Sequence, residues 1–146
     1  MYEYRCNVVK IIDGDTVDVD IDLGFGVWMR NERVRLYGID TPESRTRDLE
    51  EKKYGLAAKQ YLTNMLDDEG GIVLKTHKDK TGKFGRILGD FKIWDEKTEE
   101  TKTLTQIMLD NHHAVPYTGA SKEEIKEAHL ANRKWLTESG QVKLED

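Results

Sequence analysis

The chain has 146 residues, of which 35% are charged and 37% hydrophobic, and a formal net charge of −5. This length predicts a single domain, residues 1–146, that is large enough to bury a hydrophobic core. No apolar run approaches the roughly 20 residues of a membrane-spanning helix, so we expect no membrane association. The single cysteine, Cys6, excludes an internal disulfide and a cysteine-rich zinc site, and it is expected to be a small buried strand residue.

The N-terminal residues predict a compartment. Met1–Arg5 leads directly into a strand-like stretch and lacks the apolar segment of a secretory signal peptide. If Met1 is the natural start, we expect the protein to be cytoplasmic.

The charge is unevenly distributed along the chain. A negative total argues weakly against nucleic-acid binding, because phosphate contacts usually come with a basic surface. Residues 75–86, however, contain five cationic side chains and one acidic side chain, a local charge of +4. The local field matters more than the total, so a nucleic-acid substrate remains compatible with this composition.

The first third of the chain reads as three strands. Alternating apolar residues predict strands at Asn7–Ile12, Thr16–Ile21 and Trp28–Ile39, joined by short turns, which is typical of a β-meander. In the second strand the apolar face alternates with three aspartates, and we expect these to line a solvated face. Their spacing resembles an EF-hand loop, but Leu23 and Met29 stand where that loop needs glycine and glutamate. The aspartates are Asp18, Asp20 and Asp22.

The rest of the chain predicts helices and two more strands. Periodicity and capping residues indicate a helix at Leu49–Leu66, strands at Ile72–His77 and Arg86–Trp94, a short threonine-capped helix at Thr103–Asp110, and a last helix from Ser121 to about Thr137. Ser121 and Glu124 form a capping box. A helix between the third and fourth of five strands is the order of an OB barrel. We therefore predict an α+β, mainly β fold: a five-stranded OB-fold barrel with three helices.

Two acidic turns stand next to these strands. Asp13-Gly14-Asp15 and Asp40-Thr41-Pro42-Glu43 are each typical of ordinary turns when taken alone. A meander brings the start of its second strand close to the end of its third. Asp15 and Asp40 can then offer oxygen ligands to one divalent cation, together with a backbone carbonyl and water. Because neither motif contains histidine or cysteine, calcium or magnesium fits better than zinc.

Three further side chains complete a candidate hydrolytic site. Glu43 can act as a general base toward water, and the alternative is a solvated loop acid. Arg35 and Arg86 have plain surface roles as their default interpretation. Guanidinium groups nevertheless match the charge that gathers on a phosphodiester during its hydrolysis. The combination predicts a metal-dependent phosphodiesterase.

Five motifs follow one another along the chain: Ile12-Asp13-Gly14-Asp15-Thr16, Val34-Arg35-Leu36, Gly38-Ile39-Asp40-Thr41-Pro42-Glu43, Tyr54-Gly55 and Lys83-Phe84-Gly85-Arg86. In this order they resemble the staphylococcal nuclease family, over residues 5 to 136. The resemblance implies an OB barrel and calcium-dependent hydrolysis of DNA and RNA. The family cuts the 5′ P–O bond and leaves 3′-phosphate ends. It also implies Ca²⁺ as cofactor and DNA and RNA as partners, and we expect single strands to be favoured and the protein to be a monomer.

The resemblance assigns roles to individual residues. It implies that Asp15, Asp40 and the Thr41 carbonyl are the metal ligands and that Glu43 is the general base. It also implies that Arg35 and Arg86 stabilise the transition state and that Lys83 and Tyr117 contact the nucleotide phosphate. The chain departs from the family at Phe84 and Val115, where tyrosines are expected, and in its acidic balance, so nucleotide affinity is expected to differ.

The remaining histidines and tryptophans favour structural roles. The adjacent pair His112-His113 does not have the spacing of a helical metal-binding pair, and no acidic partner lies next to it in the sequence. We expect surface or capping roles for His112 and His113, no site role for His77 and His129, and core positions for Trp94 and Trp135. Tyr117, which follows a proline in a loop, is the better candidate for stacking on a base.

Two other functions fit the same barrel. One is a catalytically silent nucleic-acid-binding or scaffold domain, which is expected to have lost the acids or arginines. The other is an OB module for sugar or protein ligands, which leaves the carboxylates and arginines unexplained. A nuclease assay with calcium, against a chelator control, separates the enzyme from both.

Overall fold

A computed structural model describes residues 2–66, 72–81, 86–95, 98–117 and 121–143, with the backbone alone for 78–81 and 95. Every predicted strand and helix is present. The strands are β1 (Glu3–Asp13), β2 (Thr16–Gly24), β3 (Val27–Leu36), β4 (Ile39–Asp40), β5 (Ile72–Thr81), β6 (Ile87–Asp95), β7 (Glu100–Thr103) and β8 (Val115–Pro116). The helices are α1 (Leu49–Met65), α2 (Leu104–Asp110) and α3 (Lys122–Glu138).

Five strands close into a barrel. The sheet runs β3-β2-β1-β5-β6, and a parallel pairing of β3 with β6 joins its two ends. β7 extends the sheet beyond β6, outside the ring, and β4 pairs with β8 in a separate two-stranded sheet. The prediction of an α+β, five-stranded OB-fold barrel with three helices is confirmed.

The barrel interior follows from the alternation read in the sequence. The apolar residues of β2, Val17, Val19 and Ile21, point inward and are buried. α1 lays Ala58 and Leu62 over the same core, and α2 adds Leu104 and Met108. Cys6 is buried in β1, as predicted. Burial of this apolar surface is the main stabilising contribution to the fold.

Helix ends are stabilised by side chains, one of which lies far away in sequence. Ser121 accepts a hydrogen bond from the Glu124 backbone N–H, as the capping box predicts. Thr103 is the N-cap of α2, as predicted, but its side chain makes no capping hydrogen bond. Buried Asp90 of β6 instead accepts the Thr105 N–H at 3.1 Å and also the Thr105 hydroxyl.

Among the described residues, no helix combines the length and the hydropathy needed to cross a bilayer.

The third strand is shorter than predicted. β3 ends at Leu36, and a turn at Tyr37–Gly38 separates it from β4. Gly38 has φ of 80°, a left-handed conformation that a strand cannot continue through. The turn redirects the chain so that β4 pairs with β8, and this places Asp40 beside Val115.

Four side-chain environments differ from the predictions. Asp18 is not solvated: it is buried and its carboxylate accepts two hydrogen bonds from Arg33, at 2.9 and 3.2 Å. His113 is buried rather than at the surface, and burial lowers its pKa to about 4, so the neutral imidazole is the form that packs there. Trp94 and Trp135 are 60% and 40% exposed rather than in the core. Trp135 stacks on the His112 ring, with centroids 3.9 Å apart.

Candidate active site

The predicted catalytic residues meet in one cleft at an end of the barrel. A cavity of about 830 Å³ opens where the β1–β2 turn, the end of β3 and β4 come together. It is lined by four acidic residues, four arginines and two tyrosines among others: Asp13, Asp15, Asp40, Glu43, Arg33, Arg35, Arg45, Arg86, Tyr37 and Tyr117. Lys83 lies outside the described residues. The structure therefore brings together five charged side chains that the sequence had singled out.

Arg35 lies between the two aspartates. Its guanidinium is 3.3 Å from Asp15 Oδ2 and 3.7 Å from Asp40 Oδ1, and it also donates to the Leu36 carbonyl at 2.9 Å. The register of β2 with β3 places Thr16 opposite Arg35, which brings Asp15 to the same point. The Arg35 side chain is only 14% exposed, so these contacts are shielded from solvent. One cation thus connects two carboxylates from separate turns.

Asp15 is the most enclosed of the four acids that line the cleft. Burial raises the pKa of its carboxyl, and the Arg35 charge partly offsets that rise. Its backbone carbonyl accepts the Leu36 N–H at 2.8 Å, which ties the β1–β2 turn to the end of β3. A Cβ on Gly14 would lie 2.8 Å from Ala58 Cβ, so this glycine allows the turn to pack directly on α1. The acidic turn is therefore held by packing as well as by its own conformation.

Glu43 stands on a loop that is anchored to α1. Its backbone N–H donates to Glu51 Oε2 at 3.0 Å. Glu43 is exposed at the mouth of the cleft, and its carboxyl is only partly desolvated. This desolvation, the charge and hydrogen bond of Asp13, and the charges of Asp15 and Asp40 raise the pKa of Glu43 to about 7. A carboxyl that titrates near neutrality is suited to accept a proton at physiological pH.

Tyr117 and Arg86 line the same cleft from other elements. The Tyr117 N–H donates to the Gly38 carbonyl at 2.8 Å, so the β4–β8 pairing sets its position next to Asp40. Its ring is 57% exposed, which leaves an aromatic face accessible at the cleft. Arg86 immediately precedes β6 and is half-buried.

His129 is a site residue that the sequence analysis missed. Its Nε2 is 2.8 Å from Asp40 Oδ2, and its side chain is 14% exposed. Asp40 is thus held on one oxygen by Arg35 and on the other by this histidine. The two residues are 89 positions apart, so adjacency in sequence gave no signal. The one available signal is the repeat of Lys122, Lys126, His129 and Arg133 along one face of α3.

The donor set fits a hard divalent cation. Its side-chain donors are carboxylate oxygens, and their mutual repulsion is visible in the raised pKa of Glu43. The Thr41 hydroxyl affects the pKa of Asp15 but has no hydrogen bond of standard geometry among the described residues. Among the residues that the structure describes, no group of three acidic, histidine or cysteine side chains is arranged to bind a metal ion. Ion binding here therefore needs main-chain oxygens or water beside Asp15 and Asp40.

Gly55 sets the position of the Glu43 loop, and its replacement is a test of that packing. A Cβ at position 55 would overlap the Glu43 carbonyl and lie 2.6 Å from Ser44 N. Gly→Ala within a helix normally adds up to about 1 kcal/mol of stability. We expect Gly55→Ala instead to lower the free energy of unfolding by roughly 2–4 kcal/mol, measured by urea denaturation. Leu56→Ala, at the exposed neighbouring position, should change it by less than about 1 kcal/mol. A neutral or stabilising Gly55→Ala would show that the loop does not pack as described.

The raised pKa of Glu43 predicts a pH-dependent stability. Its ordinary pKa is 4.5, so between that value and about 7 the folded state holds a proton that the unfolded state releases. Stability of the metal-free protein should therefore fall as pH rises through this range. With a chelator at pH 8, Glu43→Gln should be more stable than the parent by about 1 kcal/mol, a value reduced for solvent screening. At pH 4 the stabilities of Glu43→Gln and the parent should be nearly equal.

The measurement is urea denaturation at both pH values, with Glu50→Gln as the control on exposed α1. Equal stability of Glu43→Gln and parent at pH 8 would contradict the predicted repulsion.

Comparison with known proteins agrees with this geometry. Residues 33–140 match the sequence model of the family described as staphylococcal nuclease homologue. The chain is 34% identical to a thermonuclease of Staphylococcus intermedius over 61% of its own length and 49% of that protein. It is 40% identical to Protein ParB of Escherichia coli, over 63% of its length and 42% of that protein. A thermonuclease of Staphylococcus hyicus is 29% identical, over 59% and 47%. The chain spans about half the length of these relatives or less, and it belongs to the staphylococcal nuclease homologue family.

Proposed function

We propose that this protein is a calcium-dependent nuclease that hydrolyses the phosphodiester bonds of DNA and RNA and leaves 3′-phosphate ends. Family membership supports nuclease chemistry. The observation that carries the proposal is the meeting of Asp15, Asp40, Glu43, Arg35 and Arg86 in one cleft. A binding module needs no such combination of three carboxylates and two guanidiniums.

The cation is assigned to Asp15, Asp40 and the Thr41 carbonyl. Bound there, it would supply positive charge to a phosphate oxygen during the reaction. Arg35 and His129 hold the Asp40 carboxylate from two sides, which limits its rotation. The Thr41 side chain is buried, so its loop is fixed before any ion arrives. Preorganised ligands reduce the ordering cost of ion binding.

Glu43 is assigned as the general base. It lines the same cleft as Asp15 and Asp40, where its carboxylate can remove a proton from water that approaches the phosphorus opposite the 5′ oxygen. The bond from phosphorus to the 5′ oxygen breaks, and that oxygen leaves as an alkoxide that solvent protonates. The new P–O bond remains on the 3′ side, which gives the 3′-phosphate end.

Arg35 and Arg86 are assigned to the negative charge that develops on the phosphoryl oxygens. Guanidinium groups donate two parallel hydrogen bonds, a geometry that suits these oxygens. Arg35 is already held rigidly by three contacts, so it needs little reorganisation when substrate binds. Lys83 and Tyr117 are assigned to the nucleotide phosphate, and the exposed ring of Tyr117 is also available to a base. The cleft is expected to favour single strands, whose bases can reach it, and the protein is expected to act as a monomer.

The test is digestion of heat-denatured DNA and of RNA in calcium, against a chelator control. We expect calcium-dependent products with 3′-phosphate ends, identified by their resistance to 3′ extension until a phosphatase removes the phosphate. Glu43→Gln and Arg86→Ala should each lower turnover by roughly 10²–10³-fold while urea denaturation shows an intact fold. The matched controls Glu50→Gln and Arg5→Ala replace exposed residues outside the cleft. Parental turnover by Glu43→Gln or Arg86→Ala would refute its assigned role, and 3′-hydroxyl ends would refute the proposed reaction.

A further inference from the structure

A second groove lies beside the candidate active site. It has a volume of about 400 Å³ and runs between α3 and the loop of residues 40–48. Asp40 and Glu43 line both this groove and the catalytic cleft, so the two share a wall. The helix wall contributes Lys122, Ile125, Lys126, His129, Leu130 and Arg133. We call this the α3 groove.

Three of the four acidic residues that line the α3 groove have partners within the protein, and the fourth is Glu43. Asp40 is held by Arg35 and His129. Glu51 accepts the Glu43 N–H and lies 3.7 Å from the Arg133 guanidinium. Asp48 caps α1 and accepts the N–H groups of the next turn. Within the groove, Asp40 and Glu51 are therefore the carboxylates that have cationic or histidine partners.

The lysines of the groove are different. Lys122 and Lys126 are exposed, and neither has an ion pair or side-chain hydrogen bond among the described residues. They are four residues apart on α3, so they project from the same face about 6 Å apart along the helix axis. That separation is close to one nucleotide step of an extended strand. Between and beyond them, Ile125 and the half-exposed Leu130 provide apolar surface suited to a base.

The geometry points to the α3 groove as the binding path for the single-stranded nucleic acid next to the bond that is cut. Lys122 and Lys126 take successive backbone phosphates, and the strand passes from the cleft over the Asp40–Glu43 loop onto α3. This inference rests on the proposed nuclease function. It adds the location at which a substrate longer than two nucleotides is bound. The two lysines contribute affinity for long substrates and take no part in bond cleavage.

The experiment compares two double variants of equal charge. Lys122→Gln/Lys126→Gln removes the groove lysines, and Lys10→Gln/Lys134→Gln removes two exposed lysines outside it. Each protein is assayed in calcium on a 12-nucleotide thymidine oligomer and on thymidylyl-thymidine, whose single phosphate must occupy the cleft. Binding of a fluorescein-labelled phosphorothioate 12-mer is measured by anisotropy from 50 to 200 mM salt.

We expect the groove variant to lose roughly tenfold in kcat/KM on the oligomer at 50 mM salt, through KM, and to keep parental activity on the dinucleotide. Its slope of log affinity against log salt should be shallower by about 1.4, which is about 0.7 for each lost phosphate contact. The control variant should match the parent in slope. Any one of three results would overturn the inference: equal losses of kcat/KM in both variants, an equal loss of kcat/KM on the dinucleotide, or an unchanged kcat/KM of the groove variant on the oligomer.

Two further results separate this inference from its alternatives. If the parent cleaves neither substrate, the proposed function fails, and the binding curves alone still decide whether the groove holds the oligomer. A 12-residue glutamate peptide is added as a competitor at equal concentration. Displacement of the labelled oligomer by this peptide would mean that the lysines bind any acidic polymer, and it would overturn the assignment to nucleic acid.

Discussion

The site depends on one partly buried arrangement, in which Arg35 joins the carboxylates of Asp15 and Asp40. Two acids this close in a shielded cleft destabilise the fold unless positive charge lies between them. The β2–β3 register and the parallel β3–β6 pairing, which places Arg35 opposite Leu88, both fix the arginine at this point. Closure of the barrel and assembly of the charged cluster are therefore the same structural event.

The loop of residues 40–48 connects the cluster to the helices. Gly55 lets α1 approach the Glu43 backbone, and Glu51 accepts its N–H. On the other side, His129 of α3 binds Asp40. Two clefts consequently share one loop: the candidate active-site cleft lies toward the barrel, and the α3 groove lies toward the last helix. A substitution in α1 or α3 that displaces this loop should therefore also displace Asp40 and Glu43.

Much of this structure could be predicted from local patterns. Alternation in β2, helical periodicity in α1 and the Ser121 cap depend on neighbouring residues, so they are legible in the sequence. The acidic turns and Arg35 were also identified, because motif spacing and a meander bring them together. Their meeting in one cleft agrees with that reasoning, whereas their chemical roles remain proposals.

The features that were missed depend on contacts distant in sequence. His129 contacts Asp40 only because α3 packs on the barrel. Asp90 of β6 accepts hydrogen bonds at the start of α2, where the side chain of the N-cap Thr103 accepts none. Asp18 was expected to be solvated because alternation places it outside the barrel core, but the Arg33 side chain covers it. Trp135 was assigned to the core on hydrophobicity alone, whereas its ring stacks on His112 near the surface. Pairwise tertiary contacts of this kind override local propensity.

The most direct test of the central claim is calorimetric titration of calcium into the parent protein, Asp40→Asn and Asp22→Asn, an aspartate that lies outside the cleft. If Asp15 and Asp40 hold one ion together, the parent should bind a single calcium per chain. Asp40→Asn should bind at least roughly tenfold more weakly, and Asp22→Asn should match the parent. Unchanged calcium affinity in Asp40→Asn, or no saturable binding by the parent, would contradict this account of the site.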